Sequence, residues 1–598
     1  MEDLSSNDIV VETVVLNDIP LLLSLIKSLG IVESIDGNIV EHGNHEGLSS
    51  GWLVGIWLCH ILHQSTHAKS VVSDWVLKHR NLLESLTGQS ISDTDFDDTR
   101  LGRLLRRLSL QSNWLPIEKS LWLNVVEVYE VRGVEQSQEQ LVSEGDLPIS
   151  TPLSGVHIDL TGSCGYHKGS NGLMQYGKSK DNRDDLRQFK LVSAVLHGHL
   201  ISHEVLSGEQ ADNAHYLPTA ARVSSILDKR GLLYAGDSKM ADLQTRATLQ
   251  YRGDYYLTRL PATPGNADFI KGCIEQGMNS PLDLIYHDGK LLGGGYEFDR
   301  QQSAEITLAD GQKQQVNWTE RVAVVRSGNY AQGQQKRLVR RLEKAIEAIQ
   351  KLTPPRGRGR RQITQQSVLE QKIKQICEKH KIPLELLHID FERQVTVIEK
   401  NVRRGRATTD SPKKQVQKIR FQIQEVRVDQ TALEQHICSL GWIVYVTQVP
   451  KKNMNLTQVV TTYRKNNDVE IQFRRLKNAP LNIRPLLVWT DDQIIGLNNL
   501  LSIALRLMTY SEAIMAQALQ EHPDKQIEGL YPELPTKKTA TPTLKRCCML
   551  FSKAEITSVR VFYKGNIIKS ELHRFDDIHW KILQLLNIPM TVYTELRI

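Results

Sequence analysis

Cysteine is sparse in this sequence. Seven residues (Cys59, Cys164, Cys273, Cys377, Cys438, Cys547 and Cys548) are scattered over 598 positions, and none stands in the C-x-x-C spacing of a zinc or dithiol motif. That pattern excludes a zinc ribbon and fits a reducing cytoplasm. Long apolar runs are missing too: the most apolar early segments, Ile19–Leu29 and Trp52–Leu62, fall well short of the ~20 residues that span a bilayer, so no membrane anchor is expected. The chain opens on Glu2 and Asp3, not on the basic-then-apolar pattern of a secretion signal, and a cytoplasmic location is the expectation. There is no large excess of either charge. Lys and Arg number 74 against 68 Asp and Glu, compatible with a polyanionic partner without requiring one. Internal repeats and low-complexity stretches are absent.

What is present is an ordinary globular composition, 40% hydrophobic and 24% charged, on a chain too long for one hydrophobic core. Residues 1–150 read as helices, with Leu21, Leu22, Leu25, Ile26 and Leu29, and later Leu101, Leu104, Leu105 and Leu108, at helical spacing. The second of these helices carries Arg100, Arg103, Arg106 and Arg107 behind an acidic lead-in, so its polar face is either phosphate-facing or simply solvated. From 151 the pattern turns to short strands: Val156–Thr161 running into Asp159, the pair Phe189–Leu196 and Leu200–Leu206 joined by His197-Gly198-His199, and Leu232–Gly236 leading to Asp237. Residues 263–440 read as a mostly β insertion. It holds hairpins turning at Asp288-Gly289 and Asp310-Gly311, a basic helix Gln334–Leu352, and two basic patches, Pro354–Arg361 and Arg403–Arg406 with Lys413 and Lys414. The β/α pattern resumes over 441–522 with the strand Trp442–Thr447 and the helices Leu456–Lys477 and Ile494–Leu519. A small unit with a strand pair and a helix closes the chain over 523–598.

Two-metal phosphoryl transfer needs carboxylates converging from separate elements, because hard cations ~3.5–4 Å apart must be held by oxygen while leaving room for a phosphodiester. Asp159 and Asp237 at two strand ends and Glu470 on a helix have that character. In a continuous helix Tyr463, Glu470 and Lys477, seven residues apart, drift only ~20° per step and share one face.

The run from Tyr463 to Lys477 resembles the YREK signature of insertion-sequence-four-like DDE transposases: Tyr463, Glu470 and Lys477 match, while Asn466 stands at the Arg position and Arg464 lies two residues before it. His157–Thr161, Tyr176–Gln188 and Ala235–Ser238 are similar, in order, to strand and linker motifs of the same enzymes, so that the likeness covers roughly 150–510. The resemblance implies a multidomain α+β protein. It would have a helical N-terminal DNA-binding or accessory domain (1–150) and a ribonuclease-H-like mixed β-sheet core with helices (151–262 and 441–522). A mostly β insertion domain (263–440) would interrupt that core, and a small C-terminal region (523–598) would follow. It further implies cleavage and strand transfer at element ends by Mg²⁺ or Mn²⁺, two ions held by Asp159, Asp237 and Glu470, with DNA as substrate and target and a homodimer forming on DNA. Tyr463, Lys477 and Arg464 would contact DNA, and Trp318 is the candidate by location for stacking a flipped base.

Other readings stay open at this level. Asp181, Asp184, Asp185 and Asp242 are alternative carboxylates; His157, His197, His199 and His203 lack the closed set of a transition-metal site and read as hairpin and core residues. A catalytically inactive, transposase-derived DNA-binding protein is the competing function, favoured by Asn466; an unrelated metal nuclease leaves the YREK-like helix unexplained.

Overall fold

The computed structural model describes residues 9–41, 43, 46–129, 155–167, 172–308, 310–355, 357, 360–402, 413–563 and 566–596. The chain is a multidomain α+β protein with two compact units: Met1–Thr258, Gln301–Glu320 and Thr447–Ile598 form the first, Arg259–Arg300 and Arg321–Val446 the second.

The N-terminal region is not wholly helical. It begins with a strand, β1 (Ile9–Val15), before the helices Ile19–Ser28, Ser50–Gln64, Asp98–Ser109 and Gln111–Tyr129. Leu101, Leu104, Leu105 and Leu108 are buried, as their spacing predicts, and the Asp97 side chain caps the third helix by accepting from the Arg100 amide at 2.5 Å. The arginines opposite are largely committed within the chain: Arg100 pairs with buried Asp95 at 2.6 Å, Arg106 with Asp492 at 2.9 Å, and Arg107 with Glu41. A phosphate-facing role is therefore left to Arg103 alone, which is exposed.

The central sheet of the first unit is built from β2 (Gly155–Gly165), β3 (Arg187–Leu196), β4 (His199–Ser207), β5 (Leu233–Gly236) and β6 (Tyr255–Arg259), in the order β4-β3-β2-β5-β6. Pairing is antiparallel across β4-β3-β2 and parallel across β2-β5-β6, so the sheet is mixed. The β3–β4 turn is tight because His197 and Gly198 both take left-handed backbone angles (φ 50° and 82°). A 31-residue helix, Asp491–Glu521, is buried on most sides and shares one continuous apolar core with the N-terminal helices and with the C-terminal helices Leu544–Ala554 and Asp577–Leu585. It approaches Asp98–Ser109 so closely that a Cβ on Gly496 would lie 1.9 Å from the Leu105 carbonyl oxygen. A buried ion network ties these layers together. Glu118 accepts from Arg222 at 2.6 Å and from Arg506 at 2.7 Å, and it also accepts from the His203 amide at 2.9 Å.

In the second unit β7 (Asp283–His287) and β8 (Lys290–Thr307) turn at Asp288 and Gly289, both left-handed. β8 and β9 (Lys313–Ser327) run from one unit into the other. Helices Gly328–Gln350 and Gln366–His380 pack on a two-stranded ribbon of β10 (Leu387–Asn401) and β11 (Lys413–Val428), and β12 (Trp442–Thr447) follows. Arg356, Arg358 and Gly359 of the first basic patch, and Arg403–Arg406 of the second, lie outside the described residues. The terminal strands β13 (Thr557–Tyr563) and β14 (Asn566–His573) pair as expected, but β13 also takes β1 as its other neighbour, Ile9 opposite Tyr563 through Val15 opposite Thr557. Among the described residues no helix is long and apolar enough to cross a membrane.

Candidate active site

Asp159 lies in the middle of β2, not at its end, because β2 goes on pairing with β3 as far as Gly165. On its other side the parallel pairing with β5 stops at Ile158 opposite Gly236. Asp159 is thus the first β2 residue beyond that ladder, and Asp237 the first residue beyond β5. The two acids emerge side by side where parallel strands end, the edge of an α/β sheet at which ligands bind.

Asp237 is fixed by its surroundings. Its Oδ1 accepts from the Tyr216 hydroxyl at 2.7 Å and from the Lys239 amide at 2.8 Å, while Thr258 Oγ1 donates to its backbone carbonyl at 2.7 Å. Tyr216 reaches it because residue 236 is glycine: a Cβ there would lie 2.9 Å from the Tyr216 ring and 2.6 Å from Met240 Sδ. Burial and the neighbouring carboxylates raise the Tyr216 phenol well above its ordinary range, keeping it a proton donor to Asp237.

Glu470 is carried by the helix Asn467–Lys477, which buries Val469, Gln472, Phe473 and Leu476 and leaves Glu470 exposed. Gln472 Nε2 donates to the Gly198 carbonyl at 2.6 Å, tying the helix to the β3–β4 turn. The expected single helix Leu456–Lys477 is broken. Its first part ends at Arg464, and Lys465 and Asn466 form a tight turn in which Lys465, Asn466 and Asp468 donate three residues back at 3.1, 3.1 and 2.9 Å. Three-residue bonding winds the backbone further per residue than an α-helix does, so Tyr463 leaves the stripe that Glu470 and Lys477 still share. Tyr463 is half-buried and Arg464 exposed.

Burial pushes the Asp159 carboxyl up to about 6; Lys180 and the Leu160 amide oppose that, and the negative charges of Asp237 and Glu470 add to it. All three acids therefore share one electrostatic field. The Lys180 ammonium is 3.9 Å from Asp159 Oδ1 and donates to the Leu160 carbonyl. Beside it, Lys477 donates to Thr161 Oγ1 at 2.9 Å and lies 3.8 Å from Asp181, which also holds Arg484 at 3.0 Å. Burial lowers the Lys477 pKa, with Arg484 and Lys180 adding to the effect against Asp181. Lys180 thus stands beside Asp159, while Lys477 and Arg484 gather on Asp181.

Lys180, Arg484 and Tyr216 were not singled out by the sequence. Lys180 lies in the charged run that reads as a loop, and Arg484 and Tyr216 carry no local pattern at all. Asn466, at the signature's Arg position, accepts a hydrogen bond from His157 at 2.6 Å, linking the Glu470 helix to β2 two residues from Asp159. Burial holds the His157 imidazole down to about 4.

The remaining candidates lie elsewhere or are engaged. Asp184 accepts from the Ser179 amide at 2.9 Å, Asp185 pairs with Arg183 at 2.8 Å, and Asp242 caps the helix Leu243–Tyr251. His203 pairs with Ser193 at 2.9 Å. Trp318, expected in the insertion, belongs to the first unit and is only 5% exposed. Its indole N–H donates to the Tyr256 hydroxyl at 2.9 Å beside the buried Arg246–Glu320 pair, so it is a core residue with no face open to a base.

As arranged, no three His, Cys, Asp or Glu side chains among the described residues are grouped tightly enough to hold a metal ion. The donors of the acidic cluster are nevertheless all carboxylate oxygens, the chemistry that hard divalent cations take. A family model described as a domain of unknown function (DUF4277) matches residues 11–113, from β1 into the helix Gln111–Tyr129. No curated protein matches the chain.

Proposed function

We propose that this chain is a DNA transposase, cutting and rejoining DNA at the ends of a mobile element by metal-dependent phosphoryl transfer. The observation that carries the reading is the emergence of Asp159 and Asp237 side by side beyond the β2–β5 ladder, with the Glu470 charge acting on Asp159 and the Lys180 ammonium next to it. Asp159, Asp237 and Glu470 would hold Mg²⁺ or Mn²⁺, which when bound supplies Lewis acidity and an activated water. Tyr216 and the Lys239 amide orient Asp237 by holding one of its oxygens. Glu470 is the exposed member of the three. Lys477 and Arg484, anchored on Asp181, offer a phosphate two donors of different reach, a point charge and a planar fork. Tyr463 and Arg464, on the preceding helix, would contact the DNA strand, and a homodimer on paired element ends is the expected assembly.

The test is nicking and strand transfer on supercoiled DNA carrying the flanking ends of the gene, with Mg²⁺ or Mn²⁺. Asp159→Asn, Asp237→Asn and Glu470→Gln each abolish cleavage while sparing DNA binding; wild-type nicking by two of the three sinks the assignment. A second reading, a DNA-binding protein descended from a transposase, is favoured by Asn466, whose side chain is occupied with His157 and takes no part in binding phosphate. Salt-dependent binding without cleavage under either metal decides for it.

A further inference from the structure

We infer that the outer half of the β10–β11 ribbon is a docking arm for duplex DNA, a surface that stands independently of the carboxylate cluster. The two strands pair over 15 residues, from Leu387 opposite Val428 to Asn401 opposite Lys413, with a register shift between Asp390 and Phe391. Charge is sorted along the ribbon. Asp390, Glu392 and Glu425 lie at its base, while beyond Gln394 one face carries only neutral and basic side chains: Arg420 opposite Gln394, Lys418 opposite Thr396, and Lys414 opposite Lys400.

Residues directly opposed in an antiparallel pair share a face, and like charges so placed repel. Lys400 and Lys414 are such a pair. Both are exposed, as is Lys418, and among the described residues no carboxylate reaches any of the three. Glu399, the acidic residue nearby, lies on the opposite face and pairs there with Lys413 at 3.4 Å. An unneutralised stripe of this kind calls for a polyanion. At ~3.4 Å per residue the outer segment from Gln394 to Asn401 extends ~27 Å, about three-quarters of a turn of B-DNA. A major groove ~12 Å wide admits a two-stranded ribbon, whereas the deep, narrow major groove of A-form RNA does not.

The experiment uses the full-length protein and a 30-base-pair duplex of arbitrary sequence, with affinity measured from roughly 50 to 200 mM salt. Each phosphate contact contributes about −0.9 to the slope of log K against log salt. The triple variant Lys400→Gln, Lys414→Gln, Lys418→Gln is expected to lower the slope by about 3 and weaken binding at least tenfold at ~100 mM salt. Its thermal unfolding should stay unchanged, since all three side chains are exposed. Lys413→Gln with Arg393→Gln, on the other face, should leave the slope as it is. An unchanged slope in the triple variant, an equal loss from the other face, or tighter lysine-dependent binding to an RNA hairpin overturns the inference. The same assay on Asp159→Asn, with lost cleavage and intact binding, separates the two proposals: an inactive wild type that binds through the ribbon leaves this one standing and removes the other.

Discussion

His157 Nδ1 and Asn466 Oδ1 lie 2.6 Å apart, a hydrogen bond that fastens the strand bearing Asp159 to the turn from which the Glu470 helix starts. His157 is 1% exposed and its Nε2 has no partner among the described residues, so the bond is the ring's polar anchor. Asn466→Ala should cost about 1–3 kcal/mol, the penalty for orphaning a buried donor. Asn466→Arg, which restores the resembled signature, should lower both stability and nicking, since it sets a cation against a buried imidazole next to Lys465. Chemical denaturation and a nicking assay read the two effects. Higher activity in Asn466→Arg would mean that this position is open to phosphate after all.

The Asp159 carboxyl binds its proton more tightly in the folded chain, at about 6, than at its ordinary 3.8. Folding therefore loses free energy as pH rises through that window, and the full contribution survives only below pH ~4. Asp159→Asn should stabilise the protein by about 2–3 kcal/mol at pH 8 and have little effect near pH 3. Urea unfolding across pH checks it, and an equal effect at both ends of the range counts against the assignment. Divalent cations compete with the same proton, so Mn²⁺ should raise the wild-type melting temperature at pH 8, much less at pH 5, and not at all in Asp159→Asn.

Glu118 neutralises Arg222 and the fully buried Arg506 together. Glu118→Ala leaves two guanidinium groups without their carboxylate and should cost about 3–5 kcal/mol. Because Glu118 belongs to the N-terminal helices and Arg506 to the helix Asp491–Glu521, loss of cooperativity in the unfolding transition is expected as well. A variant as stable as the wild type would show that the network contributes nothing net.

Trp318→Ala should destabilise the first unit by about 3–5 kcal/mol, the cost of emptying a core tryptophan site. Trp318→Phe should be milder and lose mainly the bond to Tyr256. If Trp318→Ala instead left stability intact and impaired only DNA processing, the tryptophan would be a base-stacking residue and its burial transient.

The sheet was legible because its strands announce themselves locally: Val156–Ile158 and Leu233–Gly236 are short apolar runs that stop at an acid, and the two acids prove to be neighbours across a parallel pair. What escaped depends on distant partners. Ile9–Val15 has an exposed face and no alternation, and becomes a strand only because Thr557–Tyr563 meets it from the far end of the chain. The helix break at Lys465–Asn466 has no glycine or proline to mark it. Arg100, Arg106 and Arg107 look like a phosphate-binding face in one dimension, but their carboxylate partners Asp95, Asp492 and Glu41 lie elsewhere in the sequence. Lys180 and Arg484 were missed for the same reason, since Lys180 meets Asp159, and Arg484 meets Asp181 beside Lys477, only once the chain has folded.

The placement of the third acid has a consequence for the order of synthesis. Strands β2 to β6 are all translated by Arg259, but Glu470 arrives some two hundred residues later, after the second unit has emerged. At ~5–20 residues per second that is a delay of roughly ten to forty seconds. During it a nascent chain can pair β2 to β6 and still lack a third carboxylate. On the proposed function, a partly made protein would be unarmed toward the very gene from which it is being read.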